Sequence, residues 1–177
     1  MEKDVLVTYA SKYGSTQEVA DAVAARLREK GLVVDLQPIQ KVRSLAGYKA
    51  VVLGTAIYYG LLHKDAVSFL TGNEAALASR LVAIFALGPT TPDENERKGS
   101  WGQLNKELAK FPWLKPVATG LFGGRYPAKL RFPDTLVAAL PASPMHGKPT
   151  SDARDWTAIR DWASSLVQKL LPVMARQ

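Results

Sequence analysis

The 177-residue sequence predicts an α/β domain: a doubly wound, five-stranded parallel sheet of order 2-1-3-4-5 with helices on both faces. Three observations carry that prediction. Apolar runs of strand length alternate with amphipathic segments of helical period along the chain. The strand cores are near-continuously apolar, as strands covered on both faces are. The first strand runs through a polar, glycine-containing turn into a helix, and in such sheets ligands sit beyond the carboxyl ends of the strands.

Taken in order, residues 4–9 with Val5, Leu6 and Val7 read as a buried strand. Residues 18–30 follow as a helix with Val19, Ala20, Val23 and Leu27 on one stripe, stopped by Gly31. Residues 32–39 alternate partly and end near Pro38, which suits a strand near an edge. Residues 50–56 form a strongly apolar third strand, and 63–70 a helix with Ala66, Val67 and Leu70 facing inward. Residues 74–79 read as a short helical turn or loop, and 80–87 as the fourth strand. A helix over 100–110 with Ser100 as candidate cap precedes the fifth strand at 117–122. The closing helix, 153–171, repeats Trp156, Ile159, Trp162, Ala163, Leu166 and Leu170 at three and four residues, with Asp152 as its cap. The whole chain, 1–177, reads as a single domain. Residues 125–151 carry Pro127, Pro133, Pro141, Pro144 and Pro149 and are too long for an ordinary connection. They read as a functional insertion in which 136–140 has room for one helical turn.

Composition narrows the chemistry. Hydrophobic residues make up 47%, enough for a sizeable core, and cysteine is absent. Disulfides, thiolate metal sites and cysteine nucleophiles are thereby excluded, and any redox chemistry must come from a cofactor. His63 and His146 are far apart and show no metal-ligand spacing, so no metal is expected. A formal charge of +7 favours anionic partners such as acidic proteins, lipid headgroups or anionic ligands. The basic residues are scattered and form no stripe, so nucleic acid is not expected, and a solvated basic surface is the commoner reading. The opening Met1-Glu2-Lys3-Asp4 is charged and leads directly into a strand, so no signal peptide is expected. No apolar run reaches the roughly 20 residues that span a bilayer. The expectation is a cytoplasmic protein, soluble or peripheral at the inner face of a membrane.

The turn after the first strand holds Ser11, Lys12, Tyr13, Gly14, Ser15 and Thr16. Its hydroxyls, together with the unpaired first amides of the following helix, suit a phosphate with little help from side-chain charge. The alternative is that Ser15 or Thr16 only caps the helix. Three further loops share the same sheet edge. Thr55, Ala56, Ile57, Tyr58, Tyr59 and Gly60 follow the third strand. Gly88, Pro89, Thr90 and Thr91 follow the fourth, and Gly123, Gly124, Arg125, Tyr126 and Pro127 the fifth. Tyrosines and glycine amides there suit a flat ring, although tyrosines at strand ends are more often half-buried packing residues.

These motifs resemble a flavodoxin-type FMN domain, and more closely the menaquinone-dependent protoporphyrinogen IX dehydrogenase family. The residues that carry the resemblance run from Tyr9 to Thr16 and from Val52 to Gly60, with His63 nearby. Arg125-Tyr126-Pro127, and Thr150-Ser151-Asp152 ahead of Asp155-Trp156, complete it. The resemblance implies FMN as cofactor, its phosphate on Ser11 to Thr16. It implies an isoalloxazine between the loop at 55–60 and the loop of Leu87, Gly88, Pro89 and Thr90, near Gly123, Gly124, Arg125 and Tyr126. It also implies electron transfer from a porphyrinogen through FMN to a membrane quinone, within heme biosynthesis, with the insertion facing the membrane. The chain departs from its relatives at Tyr58, where they often carry arginine. Its insertion has a net charge of +3 from Arg125, Lys129, Arg131 and Lys148 against Asp134, and no long amphipathic helix. No side-chain acid or base is assigned. His63 reads either as a proton shuttle or as a surface or capping residue, and Arg125 either as a contact for a substrate carboxylate or as part of the basic face. Two other functions remain beside the quinone-linked oxidoreductase. A flavodoxin-type one-electron carrier fits poorly with +7, because carriers that dock on basic partners are usually acidic. A non-enzymatic module that lost its cofactor fits poorly with three hydroxyls in the first turn.

Overall fold

The computed structural model describes residues 3–174; Met1 and Glu2, on which part of the no-signal-peptide reading rests, lie outside the described residues. The chain runs β1 (Lys3–Tyr9), α1 (Ser15–Glu29), β2 (Val34–Pro38), β3 (Tyr48–Tyr58), β4 (Leu61–Leu62), α2 (Lys64–Gly72) and α3 (Glu74–Ala78). It continues through β5 (Leu81–Leu87), α4 (Glu94–Leu108), β6 (Ala118–Phe122), β7 (Arg125–Tyr126), α5 (Asp134–Ala139), β8 (Ser151–Asp152) and α6 (Trp156–Met174). The main sheet has the order β2-β1-β3-β5-β6, all parallel, which is the 2-1-3-4-5 order expected of its five long strands. Two short additions were not foreseen: β4 folds back antiparallel on the end of β3, and β7 pairs with β8 at the two ends of the insertion.

Alternation along the strands sends side chains to two cores. Val5, Val7, Val52 and Phe85 pack under α1 and α6 with Val19, Val23, Ile159 and Leu166. Leu6, Val51, Leu53 and Ile84 pack on the opposite face with Phe69, Leu70, Leu77 and Phe111. The near-continuous apolar runs follow from this burial on both faces.

Helix starts differ from expectation where polar contacts decide them. α1 begins at Ser15, three residues before the expected start at 18, because Gly14 (φ 88°) turns the chain into it. α4 begins at Glu94, where Asp93 accepts from the Glu96 amide at 2.8 Å. Ser100, expected to cap that helix, is instead buried within it. α6 is capped by Asp155, which accepts from the Ala158 amide at 2.9 Å, while Asp152 lies in β8.

Candidate functional site

Four loops and one strap meet at the carboxyl edge of the sheet. The first is the turn from β1 into α1. Ser11 Oγ accepts from the Gly14 amide at 2.9 Å, which folds the turn back on itself. Gly14 caps α1 without any side-chain cap bond, so neither Ser15 nor Thr16 serves as the cap. Both are buried in the first helical turn, and the Thr16 Oγ1 has no hydrogen-bond partner among the described residues.

The second loop is the β3–β4 hairpin. Tyr59 (φ 51°) and Gly60 (φ 78°) form its two-residue turn, both left-handed as such a turn requires. A tyrosine in that conformation costs of order 1 kcal/mol and holds only where surrounding structure fixes it. α4 supplies that support: buried Glu107 accepts from the Leu62 amide at 3.4 Å and from Lys110 Nζ at 2.5 Å. The third loop, after β5, is fastened to the same helix. Glu96 accepts from the Thr90 amide at 2.8 Å and from the Thr91 hydroxyl. Burial would raise the Glu96 carboxyl, but these bonds and nearby Lys148 hold it below the usual range.

The fourth loop follows β6. The Gly124 amide donates to Pro89 O at 2.5 Å, joining it to the third loop, and Gly124 O accepts from the Ala153 amide at 3.0 Å. Arg125 lies 3.4 Å from Glu18, which also pairs with Arg154 at 2.6 Å. Arg154 in turn holds Asp152 at 2.6 Å. Arg125 thus enters an existing charge network.

The strap, residues 127–150, crosses the edge between β7 and β8. Asp134 at the start of α5 is 5% exposed. It accepts from Lys12 Nζ at 2.6 Å and from the Tyr13 hydroxyl at 2.5 Å. Burial alone would raise the Asp134 carboxyl; those two donors and the Lys12 charge hold it below the usual carboxylate range. Burial and the same contact push the Tyr13 phenol up to about 12.

Together these elements line a half-open cavity of about 430 Å³, a size ordinary for a small-molecule site. Of the residues expected at the site, Tyr13, Ala56, Ile57, Tyr58, Tyr59 and Gly60 line it from the first two loops. Leu87, Gly88, Thr90, Gly124, Arg125 and Tyr126 line it from the other two. Ser11, Lys12, Gly14, Ser15 and Thr16 lie in the turn beside it, and Thr55 is buried in β3 with its hydroxyl also unpartnered. Pro89 and Gly123 act through their backbone contacts with the fourth loop and Ala153. The sequence reading missed Glu96 and Gln103 of α4, and Leu130, Asp134, Met145 and Lys148 of the strap. Asp134 had one available signal: it is the sole acid in an otherwise basic insertion. His63 serves as the cap of α2, its Nδ1 accepting from the Asp65 amide at 3.2 Å. Among the described residues, no group of His, Cys, Asp and Glu is arranged to hold a metal, and no helix is long and apolar enough to cross a membrane.

Comparison with known proteins agrees with this fold. The family model described as "Flavodoxin domain" matches residues 6–151. The chain belongs to the flavodoxin domain family. It is 22% identical over 161 residues to the protoporphyrinogen IX dehydrogenase [quinone] of Escherichia coli K12, covering 89% of this chain and 87% of that one. It is 32% identical over 88 residues to an NAD(P)H dehydrogenase (quinone) of Bradyrhizobium sp. ORS 278, covering 37% of this chain and 44% of that one. The crystal structure of oxidised flavodoxin 2 from Bacillus cereus superposes with a TM-score of 0.59 at 20% identity, over 94% of this chain and 99% of that one. The family's cofactor is FMN, and FMN is the cofactor of this flavodoxin domain. The residues present fit it. The turn offers neutral donors and an unpartnered buried hydroxyl beside a cavity walled by tyrosines and backbone.

Proposed function

We propose that this flavodoxin domain is an FMN-dependent oxidoreductase that takes electrons from a reduced donor, protoporphyrinogen IX being the first to test, and passes them to a quinone. The observation that carries this reading is the convergence of all four carboxyl-edge loops on one half-open cavity beside the hydroxyl-rich turn. Both named relatives are quinone-linked dehydrogenases, which supports the acceptor class.

In this reading the phosphate lies on Ser11, Lys12, Tyr13, Gly14, Ser15 and Thr16. Because the Lys12 ammonium is already bound to Asp134, the grip comes from amides and hydroxyls at the start of α1. The ring lies between Thr55–Gly60 and Leu87–Thr90, with Gly123 to Tyr126 alongside. Bound FMN supplies the redox chemistry, accepting electrons from one partner and returning them to another. The chain's own residues orient and enclose. Tyr58, Tyr59 and Tyr126 offer aromatic surface to the ring. Leu130, Pro144 and Met145 of the strap exclude water from the outer wall. The Glu96 carboxylate fixes the Thr90 loop against α4.

The chain acts as one domain with residues 125–151 as its insertion. Phe132, Leu136 and Leu140 stand exposed on that insertion near Lys129 and Arg131, which supports a peripheral contact with the membrane where a lipid quinone resides. The net charge of +7 weighs against an electron carrier that docks on basic partners.

Reconstitution with FMN, followed by an absorbance spectrum and stopped-flow reduction with protoporphyrinogen and then a menaquinone analogue, tests the reading. Flavin bands and quinone-dependent reoxidation are expected. A reduced protein that ignores quinones and reduces a protein acceptor instead would make it a carrier. The double change Ser11→Asp and Thr16→Glu places acid against the phosphate and should abolish flavin retention; unchanged flavin content would move the phosphate elsewhere.

A further inference from the structure

The strap is held to the rest of the molecule in an unusual way. Its two ends are fixed by the β7–β8 pairing, only two residues on each side. Its middle buries little apolar surface, since Phe132, Leu136 and Leu140 all point to solvent. Polar contacts hold it instead. The buried Asp134 carboxylate accepts from Lys12 Nζ and the Tyr13 hydroxyl through one oxygen. Its other oxygen lies 3.5 Å from the Tyr59 hydroxyl. Beside it the Arg131 amide donates to the Tyr13 oxygen at 3.1 Å, and Arg131 Nη1 to Lys12 O at 3.2 Å. The Tyr59 hydroxyl also reaches the Met145 sulfur at 2.7 Å, farther along the strap. One carboxylate therefore touches the phosphate turn through Lys12 and Tyr13, and the ring hairpin through Tyr59.

We infer that Asp134 is a positioning residue for the cofactor: a clasp that fixes both flavin loops and holds the strap closed, so that cofactor release requires the clasp to open. This rests on the placement of FMN proposed above. The physical basis is the strength of charge-assisted hydrogen bonds at a buried carboxylate and the cost of leaving its partners unpaired. With few apolar contacts in the strap, losing these bonds frees the whole segment, since local opening follows the weakest-held unit. The same bonds fix the rotamers of Tyr13 and Tyr59, which line the cavity. The clasp preorganises the site before the cofactor arrives.

The test uses the full chain with Asp134→Asn, Asp134→Glu and Lys12→Met, and the double variant carrying Lys12→Met with Asp134→Asn. Two readouts other than turnover are followed: the rate of FMN release by recovery of flavin fluorescence, and the rate of tryptic cleavage after Lys129 and Arg131. Asp134→Asn should speed both by about tenfold or more, the loss of one charge-assisted contact. Asp134→Glu restores a carboxylate and should fall nearer the wild type. The double variant should be little worse than Asp134→Asn, because partners in one contact are not additive. Wild-type release and cleavage rates in Asp134→Asn would overturn the clasp. Faster release with unchanged strap cleavage would overturn it too, since the strap would then be held by something else. A wild-type protein that never bound FMN would defeat the placement of the cofactor, while strap cleavage in the apoprotein would still decide the clasp. Tyr13→Phe, which removes one donor and leaves the charge pair, provides a milder variant that should move both rates in the same direction by a smaller factor.

Discussion

The sharpest consequence of the site lies at Thr16, where a single change should move apoprotein stability and cofactor affinity in opposite directions. The side chain is fully buried in the first turn of α1 and its hydroxyl finds no partner among the described residues. A buried hydroxyl left unpaired costs about 1–3 kcal/mol. Valine keeps the shape and the β-branch and has a nearly equal helix propensity, so Thr16→Val removes that cost with little else changed. The apoprotein should gain roughly 1 kcal/mol in urea denaturation, at the low end of that range because the neighbouring amides relax. In the holoprotein the same hydroxyl would donate to a phosphate oxygen. A hydrogen bond to a charged group contributes about 1.5–3 kcal/mol, so FMN affinity should fall by roughly 10- to 150-fold in a fluorescence titration. The two measurements refute different parts of the reasoning. An apoprotein destabilised by more than about 1 kcal/mol would mean that the hydroxyl already has a partner. A dissociation constant within about threefold of wild type would mean that the phosphate does not lie against this turn.

Two other perturbations test how the edge is built. A Cβ at Gly123 would sit 1.8 Å from the backbone oxygen of Ala153, so Gly123→Ala must part the fourth loop from the segment between β8 and α6. A loss on the order of 3 kcal/mol is expected, or roughly 10 °C in Tm for a chain of this length, and a calorimetric scan within about 2 °C of wild type would refute the close approach. His63 is pushed below its ordinary 6.5 chiefly by burial, with Lys64 and Lys12 lowering it further and Asp65 opposing them. The unfolded chain therefore takes up the proton first, so the stability linked to His63 is complete above pH 6.5 and is lost as pH falls through that value toward the folded pKa. His63→Asn keeps an acceptor for the α2 cap and removes the titration, and should flatten the decline in urea stability as pH falls below 6.5. An equal slope in both proteins would show that the histidine titrates normally.

The elements legible in the sequence were those whose position is set by burial. Val5 to Val7, Ala50 to Ala56 and Leu81 to Leu87 could be read as strands because each is enclosed on two faces, and that leaves a run no loop would carry. The closing helix was legible for the same reason, from Ile159, Ala163, Leu166 and Leu170 on one stripe. What stayed hidden is set by polar contacts between distant residues, which leave no period in the chain. The first turns of α4, Glu94 to Gly99, show no apolar pattern; Asp93 and the Glu96 bonds to Thr90 and Thr91 hold them. Without those turns Ser100 looked like a cap. The link from Asp134 to Lys12 and Tyr13 spans more than a hundred residues, and no local rule reaches that far. The short β4 and β7–β8 pairings carry too few residues to show alternation.

Charge makes a related point about where the chemistry resides. The whole chain carries +7, yet around the cavity the ions are matched one against another. Lys12 meets Asp134, Arg125 and Arg154 share Glu18 and Asp152, and Lys148 lies near enough to Glu96 to lower its carboxyl. The excess positive charge is therefore a property of the outer surface. It acts at long range, on the approach of anionic partners, and weakens with salt. Contact inside the cavity depends on shape, aromatic surface and hydrogen bonds that salt hardly screens. If that division holds, raising ionic strength should slow encounter with an anionic membrane or donor and weaken FMN binding only modestly, through the long-range attraction alone, since the phosphate is gripped by neutral groups. A steep salt dependence of FMN binding would place a free cation at the phosphate after all, and would return Lys12 from the strap to the cofactor.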